Sequence, residues 1–103
     1  MISNNEGLLN LMTYKRQENR QYSPITSKEI EVLALLAIGL SNELIAEKLG
    51  VSEKTIDNLL ASIKVKTRLT NRILLAFYAY GKGYVSEAAI KSAMRAHREE
   101  KKP

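Results

Sequence analysis

The chain contains no cysteine and a single histidine, His97, among its 103 residues. Without thiols it can form neither disulfide bonds nor thiolate metal sites, and one histidine is too few for the common zinc sites. The sequence also contains no Gly-rich phosphate loop, no Ser/His/Asp set and no carboxylate cluster placed for acid–base work. These absences predict a protein that is not an enzyme and that needs no metal or cofactor.

Long apolar runs are also missing, and residues 1–6 lack the basic start and apolar stretch of a secretion signal. We therefore expect a cytoplasmic protein without a membrane anchor. The chain does carry an excess of positive charge, because 16 Lys and Arg outnumber 11 Asp and Glu and give a net charge of +5. A basic excess favours a polyanionic partner. Nucleic acid is the first expectation, an anionic membrane surface the second and an acidic protein the third.

Proline occurs only twice, and Pro24 marks the clearest boundary, because a residue before proline is pushed away from helical geometry. Residues 1–24 are predicted to be an N-terminal extension and linker with a short helix near residues 6–18. Its apolar residues either cap the domain or form a frayed amphipathic end. Residues 25–85 are predicted to be the domain, and residues 86–103 a basic C-terminal helix and tail. The tail is either solvated, or its basic residues contact phosphates while its apolar residues pack on the fourth helix of the same or a second subunit.

Helical periodicity runs through residues 25–99, and no strand is predicted. The predicted fold class is all-α: a four-helix domain with a short N-terminal helical extension and an extra C-terminal helix. The first helix starts at Thr26 or Ser27 and the fourth at Thr70 or Asn71, with Ser41 and Ser52 capping the second and third. The predicted spans of the last three helices are Glu53 to Lys66, Arg72 to Tyr80 and Ser86 to Glu99. The predicted buried stripe of the first helix is Ile30, Leu33, Ala34, Ala37 and Ile38.

Residues 41–66 have the pattern of a helix-turn-helix, in which a short helix and a tight turn lead into a longer helix. Ala46 is small where the two helices cross, Gly50 permits the turn, and Ile45, Val51 and Ile56 seal the corner. Such a corner would present the outer face of the third helix to a major groove. The same periodicity also suits an ordinary helical hairpin with a solvated face.

The string GLSNELIAEKLGVSEKTI, residues 39–56, together with residues 25–33, resembles the LuxR-type (FixJ/GerE) DNA-binding domain. The resemblance covers residues 25–85 and includes Arg72 and the closing Gly83-Tyr84-Val85. It implies a four-helix domain whose third helix reads the major groove and whose fourth often pairs two subunits on an inverted repeat. Family members regulate transcription, commonly behind a receiver or ligand-binding domain. The first 24 residues are too short for either, so a stand-alone member is expected.

The resemblance implies double-stranded DNA as partner and a homodimer, and it places candidate contacts around the second and third helices. Thr55 and Asn58 are the leading candidates for base contact, while the basic residues suit phosphates or a solvated surface. The predicted DNA-binding residues are Ser41, Asn42, Lys54, Thr55, Asp57, Asn58, Ser62, Lys64, Lys66, Arg68 and Arg72. The predicted dimerisation residues are Ile73, Leu74, Phe77, Tyr78, Ile90 and Met94.

Asp57 departs from the family pattern, which usually has lysine at this position. Three interpretations stay open: the acid is solvated or paired locally with Lys54, it accepts a hydrogen bond from a cytosine, or it indicates a helix that no longer docks on DNA. The last interpretation, together with the extra C-terminal helix, motivates an alternative function, in which the chain binds and inhibits or modulates another transcriptional regulator through its fourth and fifth helices.

Overall fold

The computed structural model describes residues 24–100, and every regular element in that range is an α-helix. The helices are α1 (Ser27–Ala37), α2 (Asn42–Leu49), α3 (Glu53–Thr67), α4 (Arg72–Gly81) and α5 (Glu87–Glu100). The all-α prediction is confirmed, with helix ends within a residue or two of those predicted. The helix predicted near residues 6–18 lies outside the described residues.

Each of the first four helices begins at a side-chain cap. Thr26 and Glu29 form a capping box on α1, in which Glu29 N donates to Thr26 Oγ1 at 3.1 Å and Thr26 N donates to Glu29 Oε1 at 2.9 Å. Ser41, Ser52 and Asn71 accept from backbone amides at the starts of α2, α3 and α4. These caps satisfy amides that have no partner within the helix, so the sequence itself determines where each helix starts.

The core lies between α1 and α4 and between α3 and its two neighbours, α1 and α2. The buried hydrophobic residues are Val32, Leu33, Leu36, Ile45, Ala46, Ile56, Leu60, Ile63, Leu75, Ala79 and Val85. Packing of this kind excludes water from the apolar faces of four helices and supplies most of the stability of such a small domain. Because α2 and α3 contribute residues to this core, the packing fixes their positions relative to α1.

The predicted buried stripe of α1 is partly wrong. Leu33 is fully buried as expected, but the other buried hydrophobic residues of α1 are Val32 and Leu36, and Ile30 and Ala34 are only half-buried. Every residue from Val32 to Ile38 is apolar, so periodicity alone does not determine which face turns inward. The positions of α3 and α4 on either side of α1 decide it.

The C-terminal helix α5 has no buried residue. Its half-buried Ile90 packs against the core, while Met94 remains 52% exposed. Because α5 contributes so little to the core, the main body of the domain consists of α1 to α4, with α5 attached along one side.

None of the helices in residues 24–100 is long and apolar enough to cross a bilayer.

Candidate nucleic-acid interface

The turn between α2 and α3 has the geometry of a helix-turn-helix corner. Gly50 ends α2 in the left-handed region at φ 70°, and Val51 N donates to Ala46 O at 3.0 Å across the turn. Ile45 and Ile56, one from each helix, have no exposed surface. The predicted corner is therefore confirmed, and its apolar contacts hold α3 at a fixed angle to α2.

One face of α3 remains exposed beside this corner. It consists of Lys54, Asp57, Asn58, Ala61 and Val65, which we call the outer stripe. Their spacing of three and four residues places them in a row along the helix, opposite the buried Ile56, Leu60 and Ile63.

Ala61 and Val65 are the members of the outer stripe that the sequence-based prediction missed. Val65 is 62% exposed despite its apolar side chain. The helical spacing from Asn58 to Ala61 and Val65 is the sequence signal that could have found them. A small and an apolar side chain on this face are suited to contact with thymine methyl groups in a groove.

Two predicted contact residues lie at the starts of helices beside the outer stripe. Thr55 is half-buried, and its hydroxyl shares a 2.9 Å hydrogen bond with the hydroxyl of Ser52, the cap of α3. Ser41 is exposed and caps α2, where its Oγ accepts from Leu44 N at 3.2 Å. Both positions lie at helix N-termini, where backbone amides and the helix dipole favour an anion.

Asp57 is connected to α2 by a side-chain hydrogen bond. Asn42 Nδ2 donates to Asp57 Oδ1 at 3.1 Å, and Asn42 Oδ1 accepts from Arg72 Nη1 at 2.9 Å. Arg72 Nη2 also donates to Leu40 O at 2.7 Å. The local pair with Lys54, which was part of one of the three interpretations of Asp57, is not formed within residues 24–100. Asp57 instead belongs to this longer connection, which joins α3, α2 and the start of α4.

The side chains of Ser62 and Lys66 point toward α1, where both contact Glu29. Ser62 Oγ donates to Glu29 Oε2 at 2.8 Å, and Lys66 Nζ donates to Glu29 Oε1 at 2.8 Å and to Pro24 O at 3.0 Å. Glu29 is only 3% exposed. Ser62 and Lys66 therefore lie apart from the outer stripe and stabilise the contact between α1 and α3, which differs from their predicted place on the groove-facing surface.

The cluster around Glu29 has an electrostatic signature. Burial raises the pKa of the Glu29 carboxyl, but the hydrogen bonds from Lys66, Thr26 and Ser62 and the charge of Lys66 outweigh it. The net effect lowers the pKa of Glu29 below its ordinary value of 4.5. The carboxylate therefore remains charged at neutral pH and holds Lys66 in place.

Two further basic candidates, Lys64 and Arg68, lie at the end of α3. Lys64 is half-buried in its last turn, and Arg68 follows the helix as its cap in the left-handed region at φ 62°. Lys82 lies over the ring of Tyr78, with Nζ 5.7 Å from the ring centroid. Lys54 and Lys64 thus lie on α3 and Arg68 directly after it, whereas Lys82 follows α4.

Comparison with known families agrees with this geometry. Residues 23–79 match the family model described as bacterial regulatory proteins, luxR family. The chain belongs to the luxR family. Its helix-turn-helix corner and four-helix body are those expected from the resemblance in the sequence, while α5 starts at Glu87, beyond the matched residues.

Several curated proteins are similar to this luxR-family chain. The transcriptional regulatory protein LnrK of Bacillus subtilis (strain 168) is 44% identical over 55 residues, which cover 53% of this chain and 25% of that protein. The transcriptional activator protein ExaE of Pseudomonas putida is 35% identical over 71 residues, covering 69% and 33%. The nitrate/nitrite response regulator protein NarP of Escherichia coli (strain K12) is 41% identical over 61 residues, covering 55% and 28%. The chain thus spans about a quarter to a third of these relatives' lengths.

The luxR-family domain also exposes an apolar surface on α4 and α5. Ile73 is 65% exposed, Phe77 66% and Met94 52%, and Leu74 is exposed beside them. We call Ile73, Leu74, Phe77 and Met94 the apolar face. The other two predicted dimerisation residues are half-buried: Ile90 packs on the core, and the Tyr78 ring packs edge-on against Tyr84 at 6.1 Å between ring centroids.

Proposed function

We propose that this luxR-family domain binds duplex DNA by placing the outer stripe of α3 in the major groove, and that it regulates transcription. The observation that carries the proposal is the exposed row from Lys54 to Val65 on a helix whose opposite face is buried against the domain. A helix held in this way can enter a major groove without rearrangement of its own backbone.

The chemistry of the outer stripe suits base readout. Asn58 offers a donor and an acceptor and can form a bidentate pair with adenine, and Ala61 and Val65 offer apolar contact to thymine methyls. Lys54 and Lys64 on α3 and Arg68 at its C-terminal cap supply positive charge for the phosphates. Most of the affinity would come from those charges, and most of the sequence preference from Asn58 and its apolar neighbours.

The relatives support a role in transcription. LnrK and NarP are named as regulators and ExaE as an activator. The family match, which runs from residue 23 to residue 79, includes the whole helix-turn-helix of this chain. We extend their regulatory role to this chain as part of the proposal.

The proposal includes a homodimer formed through the apolar face. Four large apolar side chains exposed together on neighbouring helices are unfavourable in water, and their burial against a second copy would remove that cost. A symmetric pair of domains would present two α3 helices to DNA, so an inverted repeat is the expected site.

The test is selection of fragmented genomic DNA by the purified chain at near-physiological salt, followed by sequencing of what is retained. We expect a short inverted repeat to be enriched. Asn58→Ala should weaken binding to that repeat by about 1–3 kcal/mol and leave binding to unrelated duplex nearly unchanged. Equal loss on all sequences would contradict a reading role for Asn58, and no retention of DNA by the wild-type chain would contradict the proposal itself.

A second function is favoured by α5, which lies outside the family match and adds Met94 to the apolar face. In this alternative the chain binds another transcriptional regulator through α4 and α5 and modulates it. The same selection separates the two functions, since a chain that retains no duplex but co-purifies with a second regulator supports the alternative.

A further inference from the structure

Asp57 is the only acidic residue of the outer stripe, and a carboxylate near DNA phosphates is unfavourable by simple electrostatics. Its surroundings suggest another role. Asp57 Oδ1 accepts from Nδ2 of Asn42, a residue fifteen positions earlier in the first turn of α2. The acid therefore makes a contact between the two helices of the helix-turn-helix.

Asn42 is held at both ends of its side-chain amide. The nitrogen donates to Asp57 at 3.1 Å and the oxygen accepts from Arg72 at 2.9 Å. An amide has one donor end and one acceptor end, so an anion on one side and a cation on the other favour a single orientation. Loss of the carboxylate would remove one of the two groups that fix this orientation.

Arg72 carries the connection to the rest of the domain. Its guanidinium donates to Asn42 Oδ1 and, at 2.7 Å, to the backbone oxygen of Leu40 in the loop before α2. Because Arg72 is the first residue of α4, the connection joins α3, the start of α2 and the start of α4. The connection therefore meets the outer stripe at Asp57, in the N-terminal half of α3.

We propose that Asp57 is a positioning residue of the DNA-binding surface and not a DNA contact. Its carboxylate fixes the amide of Asn42, Asn42 holds Arg72 against Leu40, and the three helices keep one arrangement around the N-terminal half of α3. The DNA part of this inference rests on the proposed function. The connection between Asp57 and Asn42 does not, and it is tested without DNA.

The first experiment is a double-mutant cycle read by thermal unfolding of the full chain. Asn42→Ala should lower the midpoint by about 2–4 °C in the wild-type background, as expected for the loss of charge-assisted hydrogen bonds in a small domain. In the Asp57→Ala background the same substitution should cost at most half as much, because one of its partners is already gone. The comparison of backgrounds also removes the helix-propensity gain of alanine at position 57. Equal losses in both backgrounds would overturn the proposal.

The second experiment measures binding to the selected DNA site. Asp57→Ala should weaken binding about three- to tenfold, a loss typical of one such hydrogen bond. Its order of preference among single-base variants of the site should remain that of the wild-type chain. Asp57→Asn should lose less, because its side-chain oxygen can still accept from Asn42. The matched control is Glu47→Gln, which removes one negative charge from an exposed position on α2 and should bind as wild type or slightly more tightly.

Two outcomes of the DNA experiment would overturn the positioning role. Loss of discrimination at one base pair only would make Asp57 a base reader. Tighter binding to every duplex by both Asp57 variants, as for Glu47→Gln, would make it an acid that is merely tolerated near phosphate. If the wild-type chain retains no DNA, the proposed function fails, and the unfolding cycle alone then decides whether Asp57 positions Asn42.

Discussion

Glu29 shows how one buried acid organises this domain at the scale of a single residue. It belongs to the capping box of α1, accepts hydrogen bonds from Ser62 and Lys66 of α3, and through Lys66 is connected to Pro24 O. Three side chains that the sequence distributes over α1 and α3 are thereby engaged in one cluster. A buried charge of this kind is tolerated because, within residues 24–100, every buried side-chain nitrogen or oxygen has a hydrogen-bond partner.

The lowered pKa of Glu29 has a direct consequence for stability against acid. A carboxyl with a depressed pKa in the folded state contributes stability above its unfolded value, about 4.5, and this stability is lost as the pH falls through the lower folded value. We expect Glu29→Gln to lower the free energy of unfolding at pH 7 by about 2 kcal/mol. The variant should also lose less stability than wild type on acidification below pH 4.5. Urea unfolding across this pH range measures both effects.

The control for Glu29 is Glu31→Gln on the same helix. Glu31 pairs with Lys28 at 3.6 Å, and both side chains are about half exposed, so we expect a change below about 0.5 kcal/mol. Parallel pH profiles for wild type and Glu29→Gln would show that the cluster around Glu29 has no role in acid stability.

At the scale of elements, the turn between α2 and α3 is where backbone conformation determines the orientation of α3. Gly50 adopts φ 70°, and a Cβ placed there would meet nothing within 4 Å. Strain from the left-handed conformation is therefore the main cost of a side chain at this position, since there is no steric clash.

Gly50→Ala should accordingly lower the free energy of unfolding by about 1 kcal/mol. Gly50→Asn should cost less, because asparagine tolerates the left-handed region better than alanine does. Gly81→Ala is the matched control, since its Cβ also meets open space but Gly81 is the last helical residue of α4 and has no positive φ. Its stability should stay level or rise by a few tenths of a kcal/mol. Equal losses for Gly50→Ala and Gly81→Ala in chemical unfolding would contradict the argument from φ.

At the scale of the whole molecule, the exposed apolar face of α4 and α5 is the feature that a single copy leaves unexplained. Phe77 is its most exposed member and lies outside the core, so Phe77→Asp should leave the fold intact. We expect this change to weaken self-association at least tenfold, because a charge buried in an apolar contact loses its hydration. Sedimentation velocity over a range of concentrations measures the change.

Ala88→Asp provides the matched control for Phe77→Asp. It adds the same charge on α5 at an exposed position about half a helical turn away from Ile90 and Met94. This variant should associate as wild type does. If both variants associate equally well, the apolar face is not the contact between copies. The alternative function, in which α4 and α5 bind another regulator, would then be tested next.

The amino-acid sequence by itself determined the local features of this protein. Ser41, Ser52 and Asn71 fix the starts of helices and Gly50 fixes the turn, because caps and left-handed glycines act on backbone within one turn. The spacing of Ile45, Ala46 and Ile56 was sufficient to predict the helix-turn-helix corner, since its two helices are adjacent in the chain.

Only the tertiary structure decided features that depend on neighbours distant in sequence. Leu75 and Ala79 of α4 are buried while Ile73 and Phe77 are exposed, although all four are apolar, because α1 covers one side of α4. Ser62 and Lys66 turn to Glu29, and Asp57 meets Asn42, across 33, 37 and 15 residues of chain. Helical periodicity gives the direction of a side chain relative to its own helix, but the partner it meets is determined by how the helices pack.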